Sequence, residues 1–543
     1  CPACGPTLSL ADGARQPLTG DPIGGTVELL LAGKVLAIKG LGGYHLAVDA
    51  TSERASARLR TLKHREDKPF AVMISTVEKV RESCAVDPTG ERLLTGRRRP
   101  IVLLDRHQDA PIAPSVAPGN RQLGVMLPYT PLHHLLLAAF RRPLVLTSGN
   151  ISDEPIAFTD DDAFDRLGRI ADAFLTHDRA IHIRTDDSVT RSFRGAELPV
   201  RRSRGYTPEP LSLPWQFPRP VLACGAELKN TFCVARGSHA FLSHHIGDLE
   251  NYETLRSFIE GIEHFKRLFD IEPAVVGYDL HPEYLSTKYA LEQDSLDLVG
   301  VQHHHAHIAS CLADNAVDGP VLGVAFDGTG YGTDGTIWGG EFLLADLTGF
   351  TRQAYLAPLP LPGGAQAIRE PWRMAASYVD SALGETPERL EVFRRNEKRW
   401  HQVTELARGG MNAPLTSSAG RLFDAVAALL GIRDAVNYEG QAAIELEQLA
   451  DIGERGSYPV PLSGEAVPGA DVVRCVIEDL LSGVTVPVIA ARFHNTMVDV
   501  VTGVCRRLRE ITKVHTVALS GGVFQNLLLL DRVVEALQHN GFS

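Results

Sequence analysis

Short apolar runs alternate with helical periodicities along the chain, and this alternation predicts strands and helices throughout. Before residue 206, short runs of apolar residues indicate buried strands, and segments with apolar residues three or four positions apart indicate helices. Strands followed by helices in this order are typical of an α/β domain. The predicted strands are 35–38, 101–104 and 144–146, and the predicted helices are 53–62 and 161–170.

The same pattern resumes after residues 206–220, which contain five prolines and little periodicity. This stretch predicts a linker at 208–220, between a first domain at 21–207 and a second at 221–543. A Pro/Gly-rich interruption at 358–364 predicts a separation between two lobes of the second domain. The predicted strands of this half are 221–224, 275–278, 321–326 and 517–519, and the predicted helices are 252–269 and 496–511.

Composition narrows the class of protein. A chain of 543 residues is too long to fold around a single hydrophobic core, so two or three domains are expected. No apolar run reaches the roughly 18 residues of a membrane span, and no signal sequence is visible, which predicts a cytoplasmic protein without a membrane partner. The net charge of −12 disfavours nucleic acid as a partner. The basic clusters of the first domain suggest a small anionic ligand, although on their own they fit three solvated faces about equally well.

Three cations of the first domain, Lys63, Arg65 and Lys68, stand close together just before a predicted strand. Cations at the entrance of a strand suit a triphosphate. The strand-to-turn segment 144–150 ends in Ser148 and Asn150, whose hydroxyl and amide groups suit nucleotide oxygens. Either motif alone is weak, but together they predict a nucleotide site.

Metal-binding residues are predicted at two places. His303 and His307 are four residues apart, so on a helix they share one face, and Asp327 at a strand end is the candidate third ligand. The alternative is a histidine run that merely caps or solvates a helix. At the N-terminus Cys1 and Cys4 have the spacing of a zinc knuckle but supply only two of four ligands, so they predict at most a remnant of one.

Glycine-rich segments follow two of the predicted strands of the second half, at 328–332 and 521–522. Glycine lets backbone N–H groups approach phosphates closely. Paired loops of this kind resemble the actin/Hsp70/sugar-kinase fold, in which two lobes face each other across ATP. Asp424 is then a candidate for the ribose hydroxyls, and Glu439 and Glu445 belong to a second candidate nucleotide contact. In isolation, helix capping and solvated faces would be the favoured explanation of such acids.

Several long strings resemble the hydrogenase-maturation carbamoyltransferases, the HypF family. The first domain resembles a YrdC-type adenylate-forming domain, a twisted sheet with helices, and the second resembles a TsaD-type ATP-binding domain. The strings that carry the first resemblance are KHREDKPF at 63–70, TSGN at 147–150 and RRSRGY at 201–206. Those that carry the second are ELKNT at 227–231, HHIGDLEN at 244–251, HHHAH at 303–307, FDGTGYG at 326–332 and SGGVFQN at 520–526.

The resemblance implies a relay in which carbamate from carbamoyl phosphate reacts with ATP and Mg²⁺ to give carbamoyl-AMP. The second domain then transfers the carbamoyl group to the C-terminal cysteine of HypE, beside a divalent iron or zinc ion held by the His303, His307 and Asp327 triad. Catalytic roles fall to Lys63, Arg65 and Lys68. The implied nucleotide-binding residues are Ser148, Asn150, Arg204, Gly328, Thr329, Gly330, Gly420, Asp424, Glu439, Gly440, Gly521, Gly522 and Asn526.

The chain departs from the family pattern in places. The family's acylphosphatase domain, all but the last CxxC of its two zinc knuckles and an Asn-Asp-Gly-Gly segment near the C-terminus are missing, and Ala365 stands where an acidic residue is expected. A fragment or an engineered core is therefore expected. The alternatives are a small-molecule O-carbamoyltransferase, an enzyme that makes threonylcarbamoyl-AMP and, in another class, a non-catalytic ATP switch of the Hsp70 type.

Overall fold

The computed structural model describes residues 5–151 and 154–543. The chain folds into two compact units, of which one comprises Cys1–Tyr278 and Glu283–Val299 and the other Asp279–Pro282 and Gly300–Ser543. Cys1 and Cys4, the predicted remnant of a zinc knuckle, lie outside the described residues. In the part of the chain that the structure describes, no helix combines the length and apolarity that crossing a membrane requires.

The first unit is built around a mixed sheet with ten strands among the described residues, in the order β1-β8-β2-β3-β7-β4-β6-β5-β9-β10. Its central strands are buried on both faces because helices cover them. The predicted α/β pattern is confirmed here. The strands are β1 (Leu8–Asp12), β2 (Leu36–Lys39), β3 (Tyr44–Asp49), β4 (Ala71–Met73), β5 (Ile101–Asp105), β6 (Gln122–Met126), β7 (Leu144–Ser148), β8 (Ala173–His177), β9 (Val189–Phe193) and β10 (Ala196–Arg201). The helices are α1 (Pro22–Leu31), α2 (Glu53–Lys63), α3 (Val77–Arg81), α4 (Pro88–Thr95), α5 (Pro131–Phe140) and α6 (Asp160–Leu167).

A second sheet of the first unit has the strand order β12-β11-β13-β14 in the described part of the chain. Its apolar face packs against one long helix, where Phe232 meets Phe258 and Phe265 edge to face. The strands are β11 (Leu211–Ala223), β12 (Cys233–Leu242), β13 (Val275–Asp279) and β14 (Asp297–Val301), and the helices are α7 (Tyr252–Phe269) and α8 (Leu285–Leu291).

The predicted linker at 208–220 is wrong for most of its length, because residues 211–220 belong to β11. The prolines that indicated a linker are tolerated by irregular pairing. The register between β11 and β12 shifts between Ser212 and Phe217 and again between Phe217 and Val221, which are the stretches that contain Pro214, Pro218 and Pro220. A proline at such a bulge removes no ladder hydrogen bond.

The second unit has a sheet of seven strands among its described residues, with the path β18-β19-β16-β15-β21 and with β17 and β20 paired beside β16. The helices that surround this sheet bury three tryptophans, Trp338, Trp372 and Trp400. The strands are β15 (Val321–Tyr331), β16 (Ile337–Ala345), β17 (Phe350–Leu356), β18 (Leu359–Pro360), β19 (Leu415–Thr416), β20 (Ala466–Val467) and β21 (Val517–Ser520). The helices are α9 (His303–Asp314), α10 (Ala365–Arg369), α11 (Trp372–Leu383), α12 (Glu391–Gly409), α13 (Ala419–Leu429), α14 (Gln441–Leu449), α15 (Gly469–Leu481), α16 (Val486–Thr512) and α17 (Leu527–His539).

Two expectations for the second half are corrected. The glycine-rich segment at 328–332 is no simple turn, since β15 continues through it to Tyr331 with a register shift between Phe326 and Gly330. The interruption at 358–364 does not separate lobes, because Leu359–Pro360 pairs with β19 in the same sheet. The chain divides instead between β13 and α9.

Candidate active site

The end of α2 places Lys63 inside the first unit. Ser52 caps the start of this helix, and His64 ends it in the left-handed conformation, with φ 52°. The Lys63 side chain is 2% exposed, and its Nζ donates to the carbonyl oxygens of Ser148 at 2.5 Å and Asn150 at 3.1 Å. Nζ also donates to Oδ1 of Asn150 at 2.6 Å. The structure therefore brings together two segments that the sequence analysis singled out separately.

Charge around Lys63 is mainly positive. Burial, together with the neighbouring Arg65, lowers the pKa of Lys63 well below its usual value, while Asp186 opposes that shift. Burial also raises the pKa of the Asp186 carboxyl. Lys68 is exposed at the same site. An anion that enters beside Lys63 would meet the positive charges of Arg65 and Lys68.

Arg65 holds the loop that carries these cations. Its guanidinium donates to the carbonyl oxygens of Lys68 at 2.9 Å and Pro69 at 2.6 Å, and to the Thr147 hydroxyl at 3.3 Å. The same guanidinium lies 5.1 Å from the centre of the Phe70 ring. Arg65 thus connects the loop after α2 to the strand that ends at Ser148.

Arg204, which the resemblance assigned to nucleotide binding, is engaged within the protein. Its Nε donates to Oδ1 of Asp187 at 2.6 Å, and its two Nη atoms donate to the carbonyl oxygens of Arg98 and Arg99. Oδ2 of Asp187 lies 3.2 Å from Nε2 of His45, which pairs with Ser148 across β3 and β7. Arg204 is therefore connected to the site indirectly, through Asp187 and His45, which the sequence analysis missed.

The second unit holds the predicted metal-binding residues on α9 and β15. Gln302 caps α9, and their four-residue spacing places His303 and His307 on the same side of its first turns. Nε2 of His303 lies 3.3 Å, and Nε2 of His307 3.1 Å, from Oδ2 of Asp327. The three ligand atoms lie within 4.8 Å of one another. Two imidazoles and one carboxylate in this arrangement suit a divalent iron or zinc ion.

The remaining histidines of the string point elsewhere. His304 is fully buried and lies near Trp338, with 6.1 Å between the ring centroids. Nε2 of His305 lies 2.8 Å from the carbonyl oxygen of Asp346. A Cβ atom at Gly330 would lie 2.4 Å from the His304 ring and 2.7 Å from the His303 ring. This glycine is therefore required by the packing of the histidines, a reason that the phosphate-loop prediction did not include.

Asp279, at the end of β13, is a further residue that the sequence analysis missed. Its Oδ2 lies 2.7 Å from Nδ1 of His303, so that His303 lies between two carboxylates. Burial lowers the pKa of His303, but the hydrogen bonds to Asp279 and Asp327 outweigh burial and raise the pKa to about 9. Conversely, burial raises the pKa of Asp327, but the two histidines outweigh burial and lower it. A carboxylate behind a metal-binding imidazole fixes the ring and increases its basicity.

Replacing Asp279 by asparagine is expected to weaken divalent-metal binding by about 10-fold to 100-fold. The substitution keeps the shape of the side chain but removes the charge that orients His303. Titration calorimetry with Zn²⁺ measures the effect, and Asp314→Asn, an exposed position on α9, is the matched control. Equal affinities in the wild-type chain and Asp279→Asn would contradict this role.

Asp327 also connects the two glycine-rich segments. Its Oδ1 accepts the N–H groups of Gly328 at 2.8 Å and Gly522 at 3.2 Å. Gly521 has φ 102°, and a Cβ there would lie 2.2 Å from the Phe326 carbonyl oxygen, so only glycine fits. The structure thus brings both glycine-rich segments to the predicted metal-binding carboxylate, with Thr329 half-buried between Gly328 and Gly330.

The start of α13 lies against the same segment. Ser418 caps the helix, and its hydroxyl contacts the carbonyl oxygens of Asp327 and Gly328. A Cβ at Gly420 would lie 2.9 Å from the Gly328 Cα. Asp424, one turn further along, is buried; burial raises the pKa of its carboxyl, and the charge of Glu439 adds to that shift.

Two other predicted nucleotide contacts have local structural roles. Gly440 adopts φ 74° and caps α14. Asn526 is buried, and its Oδ1 caps α17 by accepting the N–H group of Leu529 at 2.9 Å. Nδ2 of Asn526 lies 2.8 Å from Nε2 of His494. Both ends of this amide are thus engaged within the protein.

Comparison with known proteins decides the family. "Carbamoyltransferase HypF" of Rhodobacter capsulatus is 43% identical over 552 residues, which cover 100% of this chain and 72% of that protein. The protein of the same description from Synechocystis sp. is 40% identical over 542 residues, which cover 95% of this chain and 69% of that protein. The chain belongs to the HypF carbamoyltransferase family. Family models agree: "Telomere recombination" matches residues 28–203, "HypF Kae1-like domain" matches 216–314, and "Carbamoyltransferase, Kae1-like Domain, second subdomain" matches 323–543.

Solved HypF structures share the fold over the whole chain. A full-length HypF in a phosphate- and nucleotide-bound form superimposes with a TM-score of 0.95 at 43% identity, covering 100% of this chain and 71% of that one. HypF of T. kodakarensis gives 0.93 at 35% identity, covering 100% of this chain and 73% of that one. The predicted succession of a YrdC-like domain and a Kae1-like domain, the class to which the TsaD resemblance pointed, is confirmed.

Proposed function

We propose that the first domain, 21–207, forms carbamoyl-AMP from ATP and from carbamate released by carbamoyl phosphate. The observation that carries this proposal is the buried amine of Lys63, which lies between the carbonyl groups of Ser148 and Asn150. Arg65 and Lys68 add positive charge beside it. Cations held in this way offset the charge that develops on pyrophosphate as it leaves, with Mg²⁺ on the nucleotide.

The second domain, 221–543, then transfers the carbamoyl group to the C-terminal cysteine thiolate of HypE. His303, His307 and Asp327 would hold a divalent iron or zinc ion, which when bound would polarise the carbonyl group of the adenylate. Asp279 orients His303, and Asp327 fixes the backbone of the two glycine-rich segments through its second oxygen. The phosphate- and nucleotide-bound HypF structure, at 43% identity, supports a nucleotide as ligand.

Exchange of labelled pyrophosphate into ATP tests this function. With carbamoyl phosphate or carbamate as substrate, the wild-type chain is expected to catalyse exchange, because adenylate formation is reversible. Exchange that requires bicarbonate and threonine would contradict the proposal and indicate an enzyme that makes threonylcarbamoyl-AMP. The absence of exchange under every condition would favour the non-catalytic ATP switch.

A further inference from the structure

Arg421, on the first turn of α13, is a buried cation with unused hydrogen-bonding capacity. The residue is 5% exposed, and its Nη2 lies 3.0 Å from Oδ2 of Asp424. Its Nε and Nη1 have no hydrogen-bond partner among the residues that the structure describes. Buried guanidinium donors that remain unpaired destabilise a protein, so a ligand that accepts these hydrogen bonds is expected at this position.

The neighbours of Arg421 indicate the class of ligand that would fit there. Its Nη2 lies 3.5 Å from the point where a Cβ on Gly328 would stand, and Gly328 follows the carboxylate of the metal triad. Asp424, the predicted ribose contact, is the partner of the same guanidinium. Arg421 is thus placed between a glycine-rich segment suited to phosphate and a carboxylate suited to ribose, where the α-phosphate of an adenylate would lie.

We propose that Arg421 is a catalytic residue that binds the α-phosphate of carbamoyl-AMP and stabilises AMP as the leaving group. This inference rests on the proposed function. In the transfer step the thiolate sulfur bonds to the carbamoyl carbon, the bond from that carbon to the phosphate oxygen breaks, and the electron pair stays on the phosphate. The phosphate carries one negative charge before the step and two after it, and a charge-assisted hydrogen bond from the guanidinium stabilises the added charge. Asp424 orients the guanidinium.

Substitution of Arg421 is expected to slow carbamoyl transfer but not adenylate formation. In Arg421→Ala, carbamoyl transfer from carbamoyl phosphate and ATP to purified HypE is expected to decrease about 100-fold, because a hydrogen-bond donor to a developing anion is lost. Pyrophosphate exchange is expected to stay unchanged. Arg474→Ala is the matched control, because Arg474 also pairs with an aspartate three residues away, at 2.9 Å, but on α15.

Two further measurements separate catalysis from structure. Added guanidinium ion is expected to restore part of the transfer in Arg421→Ala, and Arg421→Lys is expected to retain part of it. Transfer at the wild-type rate in Arg421→Ala overturns the proposal. A loss that neither guanidinium nor lysine reverses, with a lower melting temperature, overturns it as well, since it indicates a structural role.

Failure of the proposed function can be distinguished from failure of the role proposed for Arg421. If the wild-type chain shows neither exchange nor transfer, the proposed function is wrong, and calorimetric titration with AMP and adenosine still tests Arg421. AMP is expected to bind the wild-type chain at least about 10-fold more tightly than Arg421→Ala, because a charged hydrogen-bond donor is lost. Adenosine is expected to bind both chains equally. Equal affinities of both chains for AMP overturn the proposal.

Discussion

Replacing Lys63 by alanine is expected to decrease carbamate-dependent pyrophosphate exchange by at least about 100-fold, and to leave metal binding unchanged. The amine is buried, and its three hydrogen bonds to Ser148 and Asn150 fix its position at the end of the strand. A preorganised cation of this kind stabilises developing phosphate charge without reorganisation of solvent. The exchange rate at saturating ATP measures the effect.

The control is Lys79→Ala, which removes an exposed lysine of α3 in the same unit. Its exchange rate is expected to equal that of the wild-type chain. A melting temperature near the wild-type value would show that Lys63→Ala still folds. Undiminished exchange in a folded Lys63→Ala variant would show that another residue supplies the cation.

The arrangement around Lys63 could be predicted only in part. Strand β7 and helix α2 follow from local patterns, and the cations are adjacent in sequence, so the segments themselves were identifiable. Their meeting depends on the pairing of β3 with β7 and on the left-handed end of α2 at His64. The role of Asp187 depends on contacts with Arg204 and His45, which are 17 and 142 residues away in the chain. Local patterns carry no information about such contacts.

The candidate metal site was more predictable because helical geometry alone brings His303 and His307 to one face. Asp327 was identifiable because it follows an apolar run and precedes glycine, although β15 continues past it to Tyr331. Asp279 and Arg421 were not, since each is an ordinary residue at the end of a strand or the start of a helix. Only the fold shows that one contacts His303 and that the other has unpaired donors.

At the proline-rich segment, the local sequence pattern led to a wrong prediction. Prolines disfavour regular strands, so the sequence predicted a linker at 208–220. The structure accommodates three of them in β11 where its pairing with β12 is irregular. A bulge of this kind depends on the partner strand, and the local composition cannot distinguish it from a flexible connection.

Replacing His307 by alanine is expected to weaken divalent-metal binding by more than about 100-fold, beyond the loss expected for an outer residue such as Asp279. The imidazole supplies one of the three ligand atoms that lie within 4.8 Å of one another. With two ligand residues left, the site would hold a transition metal weakly. Carbamoyl transfer to HypE should be lost, whereas pyrophosphate exchange in the first domain should persist. Metal content after dialysis and calorimetry with Zn²⁺ measure the change.

His305→Ala is the matched control, because His305 belongs to the same helix but contacts the Asp346 carbonyl oxygen instead of Asp327. Its metal content and transfer rate are expected to equal those of the wild-type chain. Equal metal loss in both variants would mean that α9 itself had been disrupted, and unchanged metal binding in His307→Ala would exclude the triad as the site. Loss of metal from His307→Ala alone, with exchange retained, would show that the two chemical steps use separate groups of residues.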